Sequence, residues 1–142
     1  MEIVDFEILR DLPTIDNPRF DLKRLMIFSN RPECTLFTKD LNSFAVVRDN
    51  YFGFNEGYIN FLMARKKGTG SELLKELIDK YKTIILLSDP RAEDTLLDYY
   101  RNQNLSEVRV YIKCRQKELS YFYTGDIDKE ELTKVILKHY GE

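Results

Sequence analysis

The chain has 142 residues, of which 43% are hydrophobic and 32% are charged, and its formal net charge is −2 at pH 7. This length and composition can bury a substantial core, and no stretch resembles a linker, so we expect one domain spanning residues 1–142. The near-neutral charge gives no general case for nucleic-acid binding. No apolar run approaches the ~20 residues of a membrane span, and the N-terminus lacks the basic-then-apolar order of a signal peptide. We therefore expect a cytoplasmic protein without a membrane partner.

Two cysteines and one histidine limit the redox and metal chemistry that the sequence supports. Cys34 and Cys114 are far apart and show no Cys-x-x-Cys spacing, so we expect two reduced thiols and no metal site. Either thiol could act as a nucleophile with His139 as its base. However, His139 falls on the apolar stripe of a predicted C-terminal helix, which favours packing.

In the first half of the chain, the apolar patterns predict a helix followed by an antiparallel meander. Ile3 to Ile8 fits a first strand, although Ile3 to Leu12 fits a helix equally well. A helix is predicted after the Asn17-Pro18 break, and three strands follow it. These four elements are Asp21 to Ser29, Phe44 to Arg48, Tyr51 to Phe54 and Tyr58 to Ala64.

In the second half, helices and strands alternate before a hairpin and a final helix. The predicted elements are the helix Ser71 to Tyr81, the strand Thr83 to Leu87, the helix Ala92 to Asn102, the hairpin strands around 108–112 and 119–123, and the helix Asp128 to His139. A strand, helix and strand in succession form a parallel crossover, whereas hairpins are antiparallel. The sum predicts an α/β (α+β) fold with a mixed, mainly antiparallel central sheet flanked by helices.

A basic turn with two glycines, Arg65-Lys66-Lys67-Gly68-Thr69-Gly70-Ser71, joins the strand Tyr58 to Ala64 to the next helix. The first N–H groups of a helix have no intrahelical partner and carry the positive end of its dipole, so an anion is stabilised there. Gly68 and Gly70 remove Cβ atoms that would keep a phosphate off the backbone, and they permit positive φ angles. The segment therefore predicts a cradle for phosphate.

The spacing Arg65-x-x-Gly68-x-Gly70 resembles motif A of the GNAT family of N-acetyltransferases, Arg/Gln-x-x-Gly-x-Gly/Ala, which grips the pyrophosphate of acetyl-CoA. In that family two parallel strands splay apart, and the first pairs with the pantetheine arm. The resemblance implies an acyl-CoA N-acyltransferase-like fold and acetyl-CoA as co-substrate, without a metal. The implied cofactor-binding residues are Leu62, Met63 and Ala64 for the arm, and Arg65, Lys66, Lys67, Gly68, Thr69, Gly70 and Ser71 around the pyrophosphate.

The helix Ala92 to Asn102 carries the second part of the resemblance. The family has a pattern close to Tyr-x-x-x-Gly-Phe, whose tyrosine reprotonates the departing thiolate, and this chain reads Tyr100-Arg101-Asn102-Gln103-Asn104-Leu105. The resemblance implies that Tyr100 is the acid, although its place on the apolar stripe fits packing equally well. Asn104 replaces the glycine, and asparagine adopts left-handed conformations more readily than most residues. The segment before the glycines is also shorter than is usual in the family.

The implied reaction transfers an acetyl group to a primary amine by direct attack in a ternary complex. It needs a base for the amine, a donor for the oxyanion and an acid for the thiolate. Glu56 is the expected base because it lies just before the strand Tyr58 to Ala64, and Asp49 is the second choice. Both residues also fit as ordinary turn residues. The Asn60 side chain either faces the space between the two splayed strands or is a hydrogen-bonded amide in the core. Four aromatic residues near Glu56 in the sequence could line a pocket for the acceptor or pack in the core. They are Tyr51, Phe52, Phe54 and Tyr58.

The acceptor is expected to be a small-molecule amine or a protein amine, and a homodimer is compatible with the sequence. Two other interpretations remain open. A strand, Gly-x-Gly and helix followed by a strand ending at Asp89 also resembles a Rossmann dinucleotide or methyl-donor site, although Leu73 replaces the third glycine. Alternatively, the chain is a non-catalytic interaction module with an acetyltransferase-like fold, because fold does not fix function.

Overall fold

The computed structural model describes residues 1–13, 21–88 and 94–142, with the side chains of the third helix described from Asp98 onward. Within these ranges, seven strands form one sheet in the order β1-β2-β3-β4-β5-β7-β6. The pair β4 and β5 is parallel, whereas the other five neighbouring pairs are antiparallel. The strands are β1 (Glu2–Val4), β2 (Cys34–Lys39), β3 (Ser43–Asp49), β4 (Gly57–Ala64), β5 (Ile84–Leu87), β6 (Ser106–Ile112) and β7 (Lys117–Thr124).

Helices cover both faces of this sheet. They are α1 (Leu22–Ser29), α2 (Thr69–Tyr81), α3 (Asp94–Arg101) and α4 (Lys129–His139), with 3-10 turns at Phe6–Asp11 and Lys113–Arg115. Alternate strand residues point to opposite faces. In β5, Ile84 and Leu86 pack with residues of α2 and α3, whereas Ile85 packs with residues of α4. The mixed, mainly antiparallel sheet flanked by helices confirms the predicted fold class.

The predicted strand Tyr51 to Phe54 is wrong, because the chain there forms a series of bends. Asn50, Gly53 and Asn55 adopt positive φ angles of 54°, 89° and 56°. The Glu56 carboxylate also accepts the N–H of Phe52, so a group that a strand needs for its ladder is used within the turn. The missing strand of the meander is instead β2, which lies before β3 and was not predicted.

The N-terminal segment contains both a strand and a helix, the two structures that its sequence left open. Glu2–Val4 pairs with β2, and Phe6–Asp11 then forms a 3-10 helix that begins with Asp5 as its N-cap. Predicted features at Asn17-Pro18, Asp89-Pro90 and Ala92 lie outside the described residues. In the part of the chain that the structure describes, no helix is long and apolar enough to cross a membrane.

Close packing at the start of β4 gives a stability prediction. A Cβ atom added at Gly57 would lie 2.8 Å from Cγ of Tyr81. The Tyr81 ring packs edge-on against Phe37, and its hydroxyl donates to Asp49 at 2.9 Å, so the ring has two contacts to lose if it moves. We expect Gly57→Ala to lower the free energy of unfolding by about 1–3 kcal/mol, as overpacking commonly does. Urea denaturation would measure it. In a Tyr81→Ala background the added methyl group should cost little, and an equal cost in both backgrounds would contradict the explanation.

Candidate functional site

The two parallel strands pair over only the first part of β4. Their register joins Gly57 to Ile84, Tyr58 to Ile85 and Ile59 to Leu86, whereas β4 continues to Ala64. β5 ends at Leu87, which pairs with β7 on its other side. Among the described residues, β4 therefore has no partner strand on one edge after Ile59. We call this edge, from Asn60 to Ala64, the open edge of β4.

A β-bulge lies where the strands part. Val47 is opposite Ile59 and Val46 is opposite Phe61, so Asn60 is the extra residue. A bulge leaves one residue outside the regular ladder and re-aims the residues that follow it. The Asn60 side-chain amide lies 3.5 Å from Sγ of Cys34 and is partly buried. Burial, followed by the neighbouring Glu33 charge, raises the pKa of the Cys34 thiol, which keeps it protonated at neutral pH.

Two backbone hydrogen bonds fix which groups reach the open edge. Before the bulge, the Gly57 N–H donates to the Thr83 carbonyl on the β5 side, and after it the Arg65 N–H donates to the Asn42 carbonyl on the β3 side. Backbone groups of successive strand residues point to opposite sides. Counting back from Arg65, the backbone groups of Leu62 point to the open edge, as do those of Ala64, whereas those of Met63 point to β3.

The turn between β4 and α2 is anchored on the carbonyl of Asn42, in the loop before β3. This oxygen accepts the N–H groups of Arg65 at 2.7 Å and Lys66 at 3.3 Å, and the Thr69 hydroxyl at 2.9 Å. Gly68 then begins α2 as its N-cap with a φ of 88°, and no side chain caps the helix there. The first turn of α2 therefore lacks the side-chain oxygen that commonly covers its N–H groups.

Gly70 does not adopt the positive φ angle that the glycine spacing was expected to permit. The positive φ occurs at Gly68 alone of the two, because Gly70 lies within the first turn of α2. Gly70 is buried, and a Cβ there would lie 3.5 Å from Cβ of Ala64 and 3.7 Å from the Tyr99 hydroxyl. These are ordinary contacts, so the position accepts a methyl group.

The three basic residues of the turn have different surroundings. The Arg65 guanidinium donates to the carbonyl of Pro13 at 2.6 Å and to that of Leu41 at 3.4 Å, so it lies against neighbouring loops. Lys66 and Lys67 are exposed, and neither forms an ion pair with any residue in 1–13, 21–88 or 94–142. Positive charge available to a ligand therefore comes mainly from the two lysines.

The adjacent tyrosines of α3 point to different neighbours. Tyr100 is 9% exposed, and its ring centroid lies 5.3 Å from that of Phe122 in the core beneath α2 and α3. Tyr99 is half-buried, and its hydroxyl lies 2.9 Å from Oγ of Ser71 in the first turn of α2. Tyr100 was the residue predicted from the sequence, whereas the contact of Tyr99 with Ser71 was not predicted. The repeated tyrosine was the available signal, because adjacent helical residues point about 100° apart.

The structure does not bring Glu56 close to the phosphate cradle. Its side chain is 1% exposed, and Oε1 accepts the N–H groups of Phe52 at 2.8 Å and Phe54 at 3.5 Å. Oε2 is buried and has no hydrogen-bond partner among the described residues. Glu56 precedes β4 whereas the cradle follows it, and an eight-residue strand spans about 26 Å. Asp49, the second carboxylate considered, accepts the hydroxyl of Tyr81.

The aromatic residues near Glu56 belong to the core beneath α4. Ring centroids of Tyr51 and Phe52 lie 4.9 Å and 5.2 Å from that of Tyr58, and the Tyr51 hydroxyl lies 3.1 Å from Nε2 of His139. His139, the last residue of α4, therefore contacts Tyr51. The Cys114 thiol contacts the carbonyl of Tyr140. Within the described ranges, no group of three or more His, Cys, Asp or Glu side chains could hold a metal ion.

Comparisons with solved structures find remote likenesses, among them an uncharacterized protein and a chain of the NatC complex. No protein-family model matches the chain, and no curated protein matches it. An uncharacterized protein from Bacillus halodurans is 15% identical, with a TM-score of 0.49 over 84% of this chain and 70% of that one. A chain of the NatC complex bound to Gag peptide and CoA is 18% identical, with a TM-score of 0.43 over 89% of this chain and 100% of that one. Likenesses of this size do not establish a shared family.

Proposed function

We propose that the chain is an N-acetyltransferase that transfers an acetyl group from acetyl-CoA to a primary amine. The observation that carries the proposal is the continuity between the open edge of β4 and the uncapped start of α2. The pantetheine arm contains amide groups and can pair with an unpartnered strand edge. A pyrophosphate is stabilised at a helix N-terminus, where backbone N–H groups and the helix dipole both favour an anion.

The residues present fit this co-substrate in shape and charge. Leu62 directs its backbone groups to the open edge, and the buried Gly70 leaves the cradle without a projecting side chain. Lys66 and Lys67 are exposed beside the same turn. We infer that the arm lies along Leu62 to Ala64 and that the pyrophosphate lies against the turn from Lys67 to Ser71, with charge from the lysines. The N–H groups of Lys66 and Thr69 already donate to the carbonyls of Asn42 and Lys66.

The bulge supplies a candidate for the oxyanion donor. In direct transfer, the amine nitrogen bonds to the thioester carbon, the carbonyl oxygen gains negative charge, and the carbon–sulfur bond then breaks. Asn60 lies where β4 and β5 part, and the extra residue of a bulge has no ladder partner. A backbone N–H at this point would stabilise the oxyanion. The leaving thiolate needs a proton, for which Tyr100 is the candidate donor.

Glu56 is a poorer candidate for the base than its sequence position suggested. Oε1 already accepts N–H groups of its own turn, so a proton could be taken only by Oε2. Residues from Gly57 to Ile59 also lie between Glu56 and the bulge. We propose that the amine loses its proton through water, with Glu56 at most the final acceptor.

Thiol release from acetyl-CoA in the presence of different amines tests the proposed function. The panel should contain polyamines, aminosugars, amino acids, and peptides with a free N-terminus or a free lysine. We expect release that depends on one class of amine and that saturates with both substrates. Release at the rate of the protein-free reaction for every class, by folded protein that binds acetyl-CoA, would contradict the proposal.

That last outcome would support the second candidate, a non-catalytic module that binds the same ligand. The specific observation in its favour is that both side chains implied as catalytic are packed. Tyr100 lies in the core against Phe122, and Glu56 is committed to its turn. Asn104, which replaces the family's glycine, adopts a left-handed φ of 59°, a conformation that glycine also permits, so this substitution does not distinguish the two candidates.

A further inference from the structure

We propose that Tyr99 is a positioning residue for acetyl-CoA, and that its hydroxyl acts with Ser71 as one hydrogen-bonding unit on the pyrophosphate. The inference rests on the proposed function, because it assigns a ligand contact within the same site. It differs from the role that the GNAT resemblance implies for this helix, which falls on Tyr100.

The Tyr99 hydroxyl lies near both the start of α2 and the end of the open edge of β4. It lies 2.9 Å from Oγ of Ser71, in the first turn of α2. It also lies 3.7 Å from the point where a Gly70 Cβ would be, and that same point is 3.5 Å from Cβ of Ala64 at the end of the open edge. The hydroxyl, Ser71 and Ala64 therefore surround Gly70, where the pantetheine arm would meet the pyrophosphate.

The two hydroxyls together can donate one hydrogen bond to a ligand. Each hydroxyl has one proton and two acceptor lone pairs. When one donates to the other, the second proton remains for a third group. Phosphate oxygens are strong acceptors of such a proton, because hydrogen bonds to charged groups are shorter and stronger than neutral ones. A phenylalanine at position 99 would keep the ring and remove this arrangement.

The two neighbouring tyrosines have different proposed roles, since Tyr99 binds acetyl-CoA and Tyr100 donates a proton to the thiolate. Tyr100 points towards Phe122 and the sheet, whereas Tyr99 points towards α2. The two tyrosines of this helix therefore have different surroundings, Tyr100 in the core and Tyr99 beside the first turn of α2. We expect loss of the Tyr99 hydroxyl to affect the dissociation constant for acetyl-CoA, and not the turnover number.

Calorimetry and steady-state kinetics on Tyr99→Phe test the inference. We expect the Kd for acetyl-CoA to rise about tenfold, the size typical for loss of one hydrogen bond to a charged group, with kcat changed less than twofold. Ser71→Ala should raise Kd similarly, and the double variant should be no weaker than either single one, because the hydroxyls act as a unit. Tyr111→Phe is the matched control, since Tyr111 is 56% exposed on β6, and it should leave both constants unchanged.

Three results would overturn the inference. They are an unchanged Kd in Tyr99→Phe, additive losses in the double variant, and a lower kcat at unchanged Kd, which would make Tyr99 the acid. Failure of the proposed function gives different results. If the proposed site is wrong, the wild-type protein does not bind acetyl-CoA; if only catalysis is wrong, the wild-type protein binds acetyl-CoA but releases no thiol in response to any amine.

Discussion

Replacing Gly70 with aspartate should abolish acetyl-CoA binding, with a Kd at least about 100-fold higher than that of the wild-type protein. The new side chain would project from the first turn of α2, where Gly70 now leaves the cradle clear between Ala64 and Tyr99. Its carboxylate would then occupy the place proposed for the pyrophosphate and repel it. A negative charge in the first turn of a helix is favourable, whereas burial of the carboxylate is not, so the melting temperature of the variant is measured alongside its affinity. Calorimetric titration with acetyl-CoA measures the effect.

Gly70→Ala is the matched control for this variant. An alanine Cβ would make ordinary contacts at 3.5 Å and 3.7 Å, and it carries no charge. We expect its Kd to stay within a few-fold of the wild-type value, because the methyl group makes only ordinary contacts. If Gly70→Asp keeps wild-type affinity while its melting temperature is normal, the phosphate cradle is misplaced.

Replacing Tyr100 with phenylalanine should lower kcat by roughly 100-fold, the size expected when a general acid is removed. The ring, which packs against Phe122, is retained, so the core beneath α2 and α3 should remain intact. The Kd for acetyl-CoA should be unchanged, because the hydroxyl is proposed to act only as the thiolate leaves. Steady-state kinetics with the best amine from the panel give the measurement.

Tyr123→Phe is a suitable control for the removal of a buried tyrosine hydroxyl. Tyr123 is also mostly buried, but it packs in the core beneath α4, on the opposite face of the sheet from Tyr100. Its variant should keep the wild-type kcat. An equal kcat in Tyr100→Phe and the wild-type protein would remove Tyr100 from the role of acid and leave it as a core aromatic.

Sequence patterns predicted the elements whose periodicity reflects burial. The apolar run of β5 identifies a strand within the sheet, and the apolar stripe of α2 identifies a helix that packs on the sheet; both elements lie close to their predicted bounds. The bends after β3 were not predictable from such patterns. Tyr51 and Phe52 are typical strand residues, but positive φ angles at Asn50, Gly53 and Asn55, with the buried Glu56 carboxylate, fold them into a turn.

The start of α2 could be predicted from the sequence, but the geometry of the residues around it could not. The glycine spacing identified the start of α2 because a helix N-terminus has a local chemical signature. The bulge at Asn60 has none, since it depends on how β4 pairs with β3. The contact between Tyr99 and Ser71 likewise depends on how α3 packs against α2, so it follows only from the three-dimensional structure.

Calorimetric titration of the purified wild-type protein with acetyl-CoA tests the central claim most directly, with NAD and S-adenosylmethionine as controls. We predict saturable binding of acetyl-CoA alone, because the open edge of β4 suits an extended arm that the other two ligands lack. Binding of NAD or S-adenosylmethionine in its place would favour the Rossmann interpretation, and binding of none of the three would contradict the proposed site.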